Sequence, residues 1–66
     1  MMDMELRKKV VTLIDYASYQ CYRYYGYYQP NYSSCMESWY RTIANELGVS
    51  VDLLKQIVKE IALENG

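Results

Sequence analysis

Histidine and phenylalanine are absent from this sequence of 66 residues, which has one proline, one tryptophan, two cysteines and three glycines. Without histidine, the chain lacks the usual general base near neutral pH and the commonest metal ligand. Two cysteines cannot complete a tetrahedral zinc site by themselves. No serine, cysteine or aspartate stands in a recognisable nucleophile context. The sequence therefore predicts a protein that is not an enzyme, with no catalytic residue, no cofactor, no metal and no small-molecule substrate.

Long apolar runs are also missing. No stretch approaches the roughly 18 apolar residues that a membrane-spanning helix needs. Near the N-terminus the basic triplet 7–9 precedes only a short apolar run, 10–14, with no small-residue cleavage site after it. We therefore expect no membrane partner and a cytoplasmic location. In that compartment Cys21 and Cys35 are expected to be free, half-buried thiols, with a disulfide between them as the alternative.

The charge is close to balanced. Seven Lys or Arg face eight Asp or Glu, which gives a net charge of −1. Residues 1–33 sum to +1 and residues 34–66 to −2. Because affinity for nucleic acid scales with the number of phosphates neutralised, strong non-specific binding by one monomer is disfavoured. A single domain of this size buries only about 60% of its unfolded surface, so its stability is marginal unless a staple or a partner adds to it.

Tyrosine is the abundant residue. Eight of the nine tyrosines fall within residues 16–32. On a helical wheel they point around the whole cylinder, so they cannot all be buried. In one interpretation, Tyr24 with Tyr16 or Tyr40 lines the rim of the core and the other rings are half exposed. In the other, the segment is a protein-interaction surface, because tyrosine is enriched at interfaces. The predicted interface residues are Tyr19, Tyr22, Tyr25, Tyr27, Tyr28 and Tyr32.

A variant of that interpretation is single-stranded nucleic-acid binding, in which bases stack on the rings. Arg23 and Arg41 would then supply phosphate contacts. Because so few cations are available, a protein partner is favoured over a single strand.

The first third of the chain predicts a helix over about residues 3–25. Apolar residues recur there at spacings of three and four: Leu6, Val10, Leu13, Ala17, Cys21 and Tyr24, with Ile14 widening the stripe. Gly26 is the expected end, since glycine tolerates positive φ, and Pro30 with Asn31 indicates a loop through Ser33. A strand over 22–28 is the alternative, because tyrosine favours sheets. No second alternating segment exists to pair with it.

Two further helices are predicted, over about 34–47 and 51–63. Ser34 and Glu37 have the spacing of a capping box, and Ser50 is a candidate cap for the third helix. The stripes are Met36, Trp39 or Tyr40, Ile43 and Leu47 in the second helix and Leu54, Ile57, Val58 and Ile61 in the third. We expect one all-α, three-helix domain covering residues 1–66.

The join between the second and third helices carries a motif. Ala44 is small enough for a close helix crossing, and Gly48, four residues later, allows positive φ in the turn. Apolar residues flank these points at Ile43, Leu47, Val49, Leu54 and Ile57. Over about residues 40–59 the chain resembles the helix-turn-helix superfamily of DNA-binding domains.

This resemblance implies that the third helix reads the major groove of double-stranded DNA. Lys55 would then contact guanine, Gln56 would contact adenine, and Lys59 or Arg41 would hold phosphates. The implied nucleic-acid-binding residues are Arg41, Ser50, Val51, Asp52, Lys55, Gln56 and Lys59.

Two features depart from the family pattern. The second helix is longer than the family's usual short helix, and the reading face carries Asp52 with Glu46 and Glu60 close by. Acidic side chains are repelled by phosphates. The leading hypothesis is a small DNA-binding regulator or accessory factor that acts as a homodimer or with a partner. The alternative is a module whose Tyr-rich surface docks on a larger protein, such as a nucleic-acid-processing enzyme, as an accessory subunit or inhibitor.

Overall fold

Three helices make up the protein in a computed structural model, which describes residues 4–65 and side chains through residue 64. Helix α1 spans Met4–Tyr25, α2 spans Asn31–Leu47 and α3 spans Val51–Asn65. The predicted all-α, three-helix domain is confirmed. The alternative strand over 22–28 is wrong, because residues 22–25 continue α1 and no strand occurs within residues 4–65. The predicted start of the first helix at Asp3 lies outside the described residues.

The core forms where the three predicted stripes meet. Its buried side chains are Val10, Ala17, Cys21, Met36, Ile43, Ala44, Leu54 and Ile57. Leu6, Leu13, Ile14 and Ile61 pack against them from the margin. Helical spacing of apolar residues thus predicted most of the core correctly. Tyr24 is the exception, since it is 73% exposed.

Helix α2 begins three residues before its predicted start. Asn31 is the first helical residue and Pro30 precedes it, so the predicted loop through Ser33 is wrong. Proline suits the first turn of a helix because the amide hydrogen it lacks has no intrahelical partner there. Ser34 therefore lies inside α2, where its amide donates to the carbonyl of Pro30 at 2.9 Å. The predicted capping box does not form, and α2 has no side-chain cap.

A disulfide joins Cys21 of α1 to Cys35 of α2. The expectation of two free thiols is therefore wrong. The prediction followed from the expected compartment, but the helix packing brings the two α-carbons to 5.8 Å, which is within disulfide range. Cys21 is fully buried in the core and Cys35 is half-buried. The bridge consequently fixes the last turns of α1 to the first turns of α2.

The connection between α2 and α3 is closed by backbone hydrogen bonds. Gly48 has a φ of 71°, as predicted. Its amide donates to the carbonyl of Asn45 at 3.3 Å, and the amide of Val49 donates to the carbonyl of Ala44 at 3.0 Å. These two bonds form a Schellman motif. The predicted cap of α3 is confirmed, since Ser50 Oγ accepts a hydrogen bond from the amide of Leu53 at 3.0 Å.

Among the described residues, two ion pairs connect helices along the surface. Arg7 of α1 pairs with Glu64 of α3, and Lys55 of α3 pairs with Glu37 of α2. The hydrogen bond to Glu64 raises the pKa of Arg7. Because all four side chains are partly exposed, each pair adds little to stability. Within residues 4–65, none of the helices has the length and apolar character needed to cross a membrane.

Candidate nucleic-acid and protein-binding surfaces

The predicted DNA-reading residues lie at the start and on the exposed side of α3. Asp52, Lys55, Gln56 and Lys59 are exposed. Ser50 is engaged in capping the helix, and Val51 is half-buried against the core. The structure therefore brings four polar side chains together on an accessible face, while two of the predicted contact residues serve the fold.

Lys55, the predicted guanine contact, is occupied by neighbours on α2. Its Nζ donates to Glu37 Oε1 at 2.7 Å and lies 5.7 Å from the centroid of the Tyr40 ring. The hydrogen bond to Glu37 raises the pKa of Lys55, so its charge is retained. Burial raises the pKa of Tyr40. A phosphate or a base would have to replace Glu37 as the partner of this ammonium group.

The remaining polar residues give the α3 face little positive charge. Gln56 Nε2 lies 3.5 Å from Glu60 Oε1, which is a long hydrogen bond. Arg41 and Lys59 have no ion pair among the described residues. The positive charge of Lys55 is balanced by Glu37. The carboxylates of Asp52 and Glu60 offset the charges of the two remaining cations, Arg41 and Lys59. This balance is unfavourable for binding a polyanion.

The tyrosines form a more extensive surface. Seven of them are between 44% and 79% exposed: Tyr16, Tyr19, Tyr22, Tyr24, Tyr25, Tyr27 and Tyr28. Tyr32 and Tyr40 are the half-buried ones. The interpretation in which Tyr24 lines the core is therefore wrong. Cys21 is the last buried residue of α1. The side chains of the turn that follows it are therefore not part of the core.

Three of the predicted interface tyrosines contact one another. The Tyr27 ring lies 4.6 Å from the Tyr22 ring and 5.2 Å from the Tyr32 ring, measured between centroids. Such tilted and edge-to-face arrangements stabilise aromatic pairs. The cluster of Tyr22, Tyr27 and Tyr32 thus connects α1, the interhelical turn and α2. We call the six predicted interface side chains together the Tyr surface (Tyr19, Tyr22, Tyr25, Tyr27, Tyr28 and Tyr32).

A groove adjoins the Tyr surface along one face of α2. It has a volume of about 570 Å³ and is lined by Tyr25, Asn31, Ser34, Cys35, Ser38 and Trp39. We call it the α2 groove. Apart from Tyr25, these residues were not predicted as a site. Asn31, Ser34 and Ser38 have helical spacing in the sequence, but Asn31 belongs to this face only because α2 begins three residues before its predicted start.

The described residues contain no group of three or more His, Cys, Asp or Glu side chains that could hold a metal ion. No family model, curated protein or solved structure matches this chain. The assignment of function therefore depends on the chemistry of these surfaces.

Proposed function

We propose that the protein is a non-enzymatic interaction module whose Tyr surface docks on a larger protein, as an accessory subunit or inhibitor. The observation that carries this proposal is the set of exposed tyrosines at the end of α1 and in the following turn. Tyr27 and Tyr28 are 71% and 79% exposed. Large aromatic side chains left in water over a contiguous area are typical of interaction sites.

The chemistry of the Tyr surface suits a protein partner. Tyrosine offers a large, stiff, amphipathic contact area, and serine and asparagine beside it provide adaptable hydrogen bonds, the combination that antibody paratopes use. Arg23 is the single charged residue between Tyr16 and Met36. Interface cores are depleted in charge, whereas nucleic acid requires several cations. This argument favours a protein over a single-stranded nucleic acid.

The surface is also held in place before it binds. The Cys21–Cys35 bridge ties together the two helices that carry it, and the contacts of Tyr27 with Tyr22 and Tyr32 restrain the turn. Prior ordering lowers the entropic cost of association. Disulfides persist in oxidising compartments and in intracellular proteins of hyperthermophiles. A lasting bridge in a cytoplasmic protein would therefore be expected in a hyperthermophile.

Recognition of double-stranded DNA through α3 is the second candidate function. The Schellman turn at Gly48 and the cap at Ser50 support it, since they give α3 a defined start after a short turn. The Lys55–Glu37 pair is exposed enough to exchange partners at little cost. The acidic residues of the α3 face weigh against it, unless a second copy or a basic partner supplies positive charge.

Affinity purification distinguishes the two functions. The tagged protein, its Tyr27→Ser/Tyr28→Ser variant and its Lys55→Ala/Gln56→Ala variant are each used to capture proteins from extract of the source cells under non-reducing conditions. We expect the wild type to retain a protein in stoichiometric amount, the tyrosine variant to retain at least about tenfold less, and the α3 variant to match the wild type. Equal capture by all three proteins would contradict the proposal.

The same variants are tested for duplex DNA in a low-salt mobility-shift assay. If α3 reads DNA, the wild type and the tyrosine variant shift the duplex and the Lys55→Ala/Gln56→Ala variant does not. If the wild type shifts neither random duplex DNA nor the duplex from upstream of its own gene, DNA recognition through α3 is eliminated.

A further inference from the structure

A second groove runs between α1 and α3. It consists of two adjoining depressions of about 400 Å³ and 300 Å³, which have Val11 and Ile61 in common as lining residues. Ile14, Val58 and Ile61 are half-buried there and belong to the margin of the core. Solvent therefore reaches the apolar margin of the core along this groove.

The α1 side of the groove is a second stripe of that helix, separate from the stripe that faces the core. It comprises Met4, Lys8, Val11 and Asp15, which follow one another at spacings of four, three and four and therefore share one face. All four side chains are exposed, Met4 by 65% and Val11 by 39%. The stripe thus has an apolar centre with a cation on one side of it and an anion on the other.

The two charges of this stripe are not neutralised within the molecule. Neither Lys8 nor Asp15 forms an ion pair in the part of the chain that the structure describes. They are two helical turns apart, which is about 10 Å at the helical rise of 1.5 Å per residue. Val11 and Thr12 lie midway between them. Opposite charges are therefore placed symmetrically about the middle of the stripe.

We propose that a second copy of this chain occupies the groove, with its α1 antiparallel to the first α1 about a two-fold axis at Val11 and Thr12. In a two-fold interface, if residue i of one copy meets residue j of the other, then j also meets i. An axis between residues 11 and 12 places Lys8 of each copy opposite Asp15 of the other. The dimer consequently gains two ion pairs from charges that are unpaired in the monomer.

The apolar side chains follow the same symmetry. The axis that joins the two charges places Met4 opposite Tyr19 of the second copy, and these side chains are 65% and 59% exposed. Methionine sulfur makes favourable contacts with aromatic rings. Val11 of each copy lies at the axis, where it covers Ile61 of the groove. A parallel arrangement would place like charges against each other, so the charges also select the orientation.

The arrangement of the charges favours a second copy over another protein. A different partner would have to present its own anion and cation at the same spacing and in the reverse order, whereas a second copy does so by symmetry. The inference is independent of the proposed function. The dimer face includes Tyr19 of the Tyr surface but not Tyr27 or Tyr28, which follow the end of α1.

Sedimentation equilibrium of the full-length disulfide-bonded protein, at roughly 10 µM to 1 mM, measures dimerisation. We expect the wild type to approach the dimer mass as its concentration rises, and to dissociate more readily at high salt, because salt screens exposed ion pairs. Lys8→Asp places two carboxylates together at both contacts, and Asp15→Lys places two ammonium groups together. Each variant should dimerise at least about tenfold more weakly than the wild type.

A mixture of the two variants provides the decisive measurement. In a dimer of Lys8→Asp with Asp15→Lys, both contacts again join a lysine to an aspartate, so the mixture should regain the affinity of the wild type. A variant that had failed to fold could not be rescued in this way. Lys9→Asp makes the same change in net charge at an exposed residue that does not line the groove. It should dimerise like the wild type.

Four results would overturn the inference: a wild type that stays monomeric up to 1 mM, undiminished dimerisation of both single variants, no recovery in their mixture, or an equal loss in Lys9→Asp. If the wild type is monomeric and Lys8→Asp loses a captured partner, the groove belongs to that partner instead. If Tyr27→Ser/Tyr28→Ser abolishes dimerisation and Lys8→Asp does not, the copies meet through the Tyr surface and the inference is wrong. A dimer that captures no larger protein would refute the proposed function and leave this inference intact.

Discussion

At the scale of single residues, the two glycines with positive φ have the clearest roles. Gly26 follows α1 with a φ of 60°, and Gly48 follows α2 with a φ of 71°. A β-carbon added to Gly48 would meet no atom within 4 Å. Any cost of substituting this residue must therefore come from the backbone conformation itself rather than from a steric clash.

Replacing Gly48 by alanine is expected to lower the free energy of unfolding by about 1–2 kcal/mol, the cost of holding an L-residue in the left-handed region. Gly48→Asn should cost less than half as much, because asparagine tolerates this region. Urea denaturation followed by circular dichroism measures both values. If both variants were as stable as the wild type, the turn would have to adopt another conformation. The Schellman hydrogen bonds to the carbonyl groups of Asn45 and Ala44 would then not be retained.

Single tyrosines were less predictable than the glycines. A periodic stripe predicted burial at Tyr24, yet that ring is 73% exposed, while Tyr32 is half-buried. The stripe describes which side of α1 faces the core but not how far along the helix the core extends. That limit depends on where α2 begins, which is a property of a second segment of the chain.

At the scale of helices, the ends are where sequence and structure differ most. The end of α2 at Gly48 and the start of α3 after Ser50 were predicted correctly, because each is decided by a residue with a specific backbone role. The start of α2 was not, because Pro30 and Asn31 are compatible with a loop or with a first helical turn. The reading face of α3 was predicted from the helix-turn-helix resemblance. The pairing of Lys55 with Glu37 was not predicted, because it joins residues 18 apart and depends on the packing of two helices.

Two serines test these helix boundaries. Ser50→Ala removes the oxygen that accepts from the amide of Leu53 and should lower the free energy of unfolding by about 1 kcal/mol. Ser34→Ala replaces an interior residue of α2 by a better helix former and should leave stability unchanged or raise it by up to about 0.5 kcal/mol. Urea denaturation curves of the two variants and the wild type measure these free energies of unfolding. A loss at Ser34 as large as that at Ser50 would mean that α2 begins at its predicted position after all.

At the scale of the whole molecule, the disulfide links core and binding surfaces. Among the residues whose side chains the structure describes, eight are buried in the core, and the sequence alone predicted marginal stability. The bridge encloses the interhelical turn and most of the Tyr surface between Cys21 and Cys35. The spacing of Cys21 and Cys35 in the sequence could not decide whether they pair. The thiols meet only if both side chains face each other across the α1–α2 contact, and this depends on how the two helices pack. The same element that stabilises the fold therefore also orders the tyrosines.

Breaking the bridge should destabilise the whole molecule. The cysteines are 14 residues apart, and closing a loop of that length is worth about 3 kcal/mol. For a domain of this size, that loss corresponds to a fall in Tm of roughly 12–24 °C. Thermal unfolding of the wild type with and without a reductant measures the effect, with free thiols counted by mass spectrometry after alkylation. The Cys21→Ala/Cys35→Ala variant is the control: it should have a low Tm that the reductant does not change. An unchanged Tm for fully reduced wild type would show that packing around Cys21 alone holds α1 against α2, and the Tyr surface would then be ordered without the covalent link.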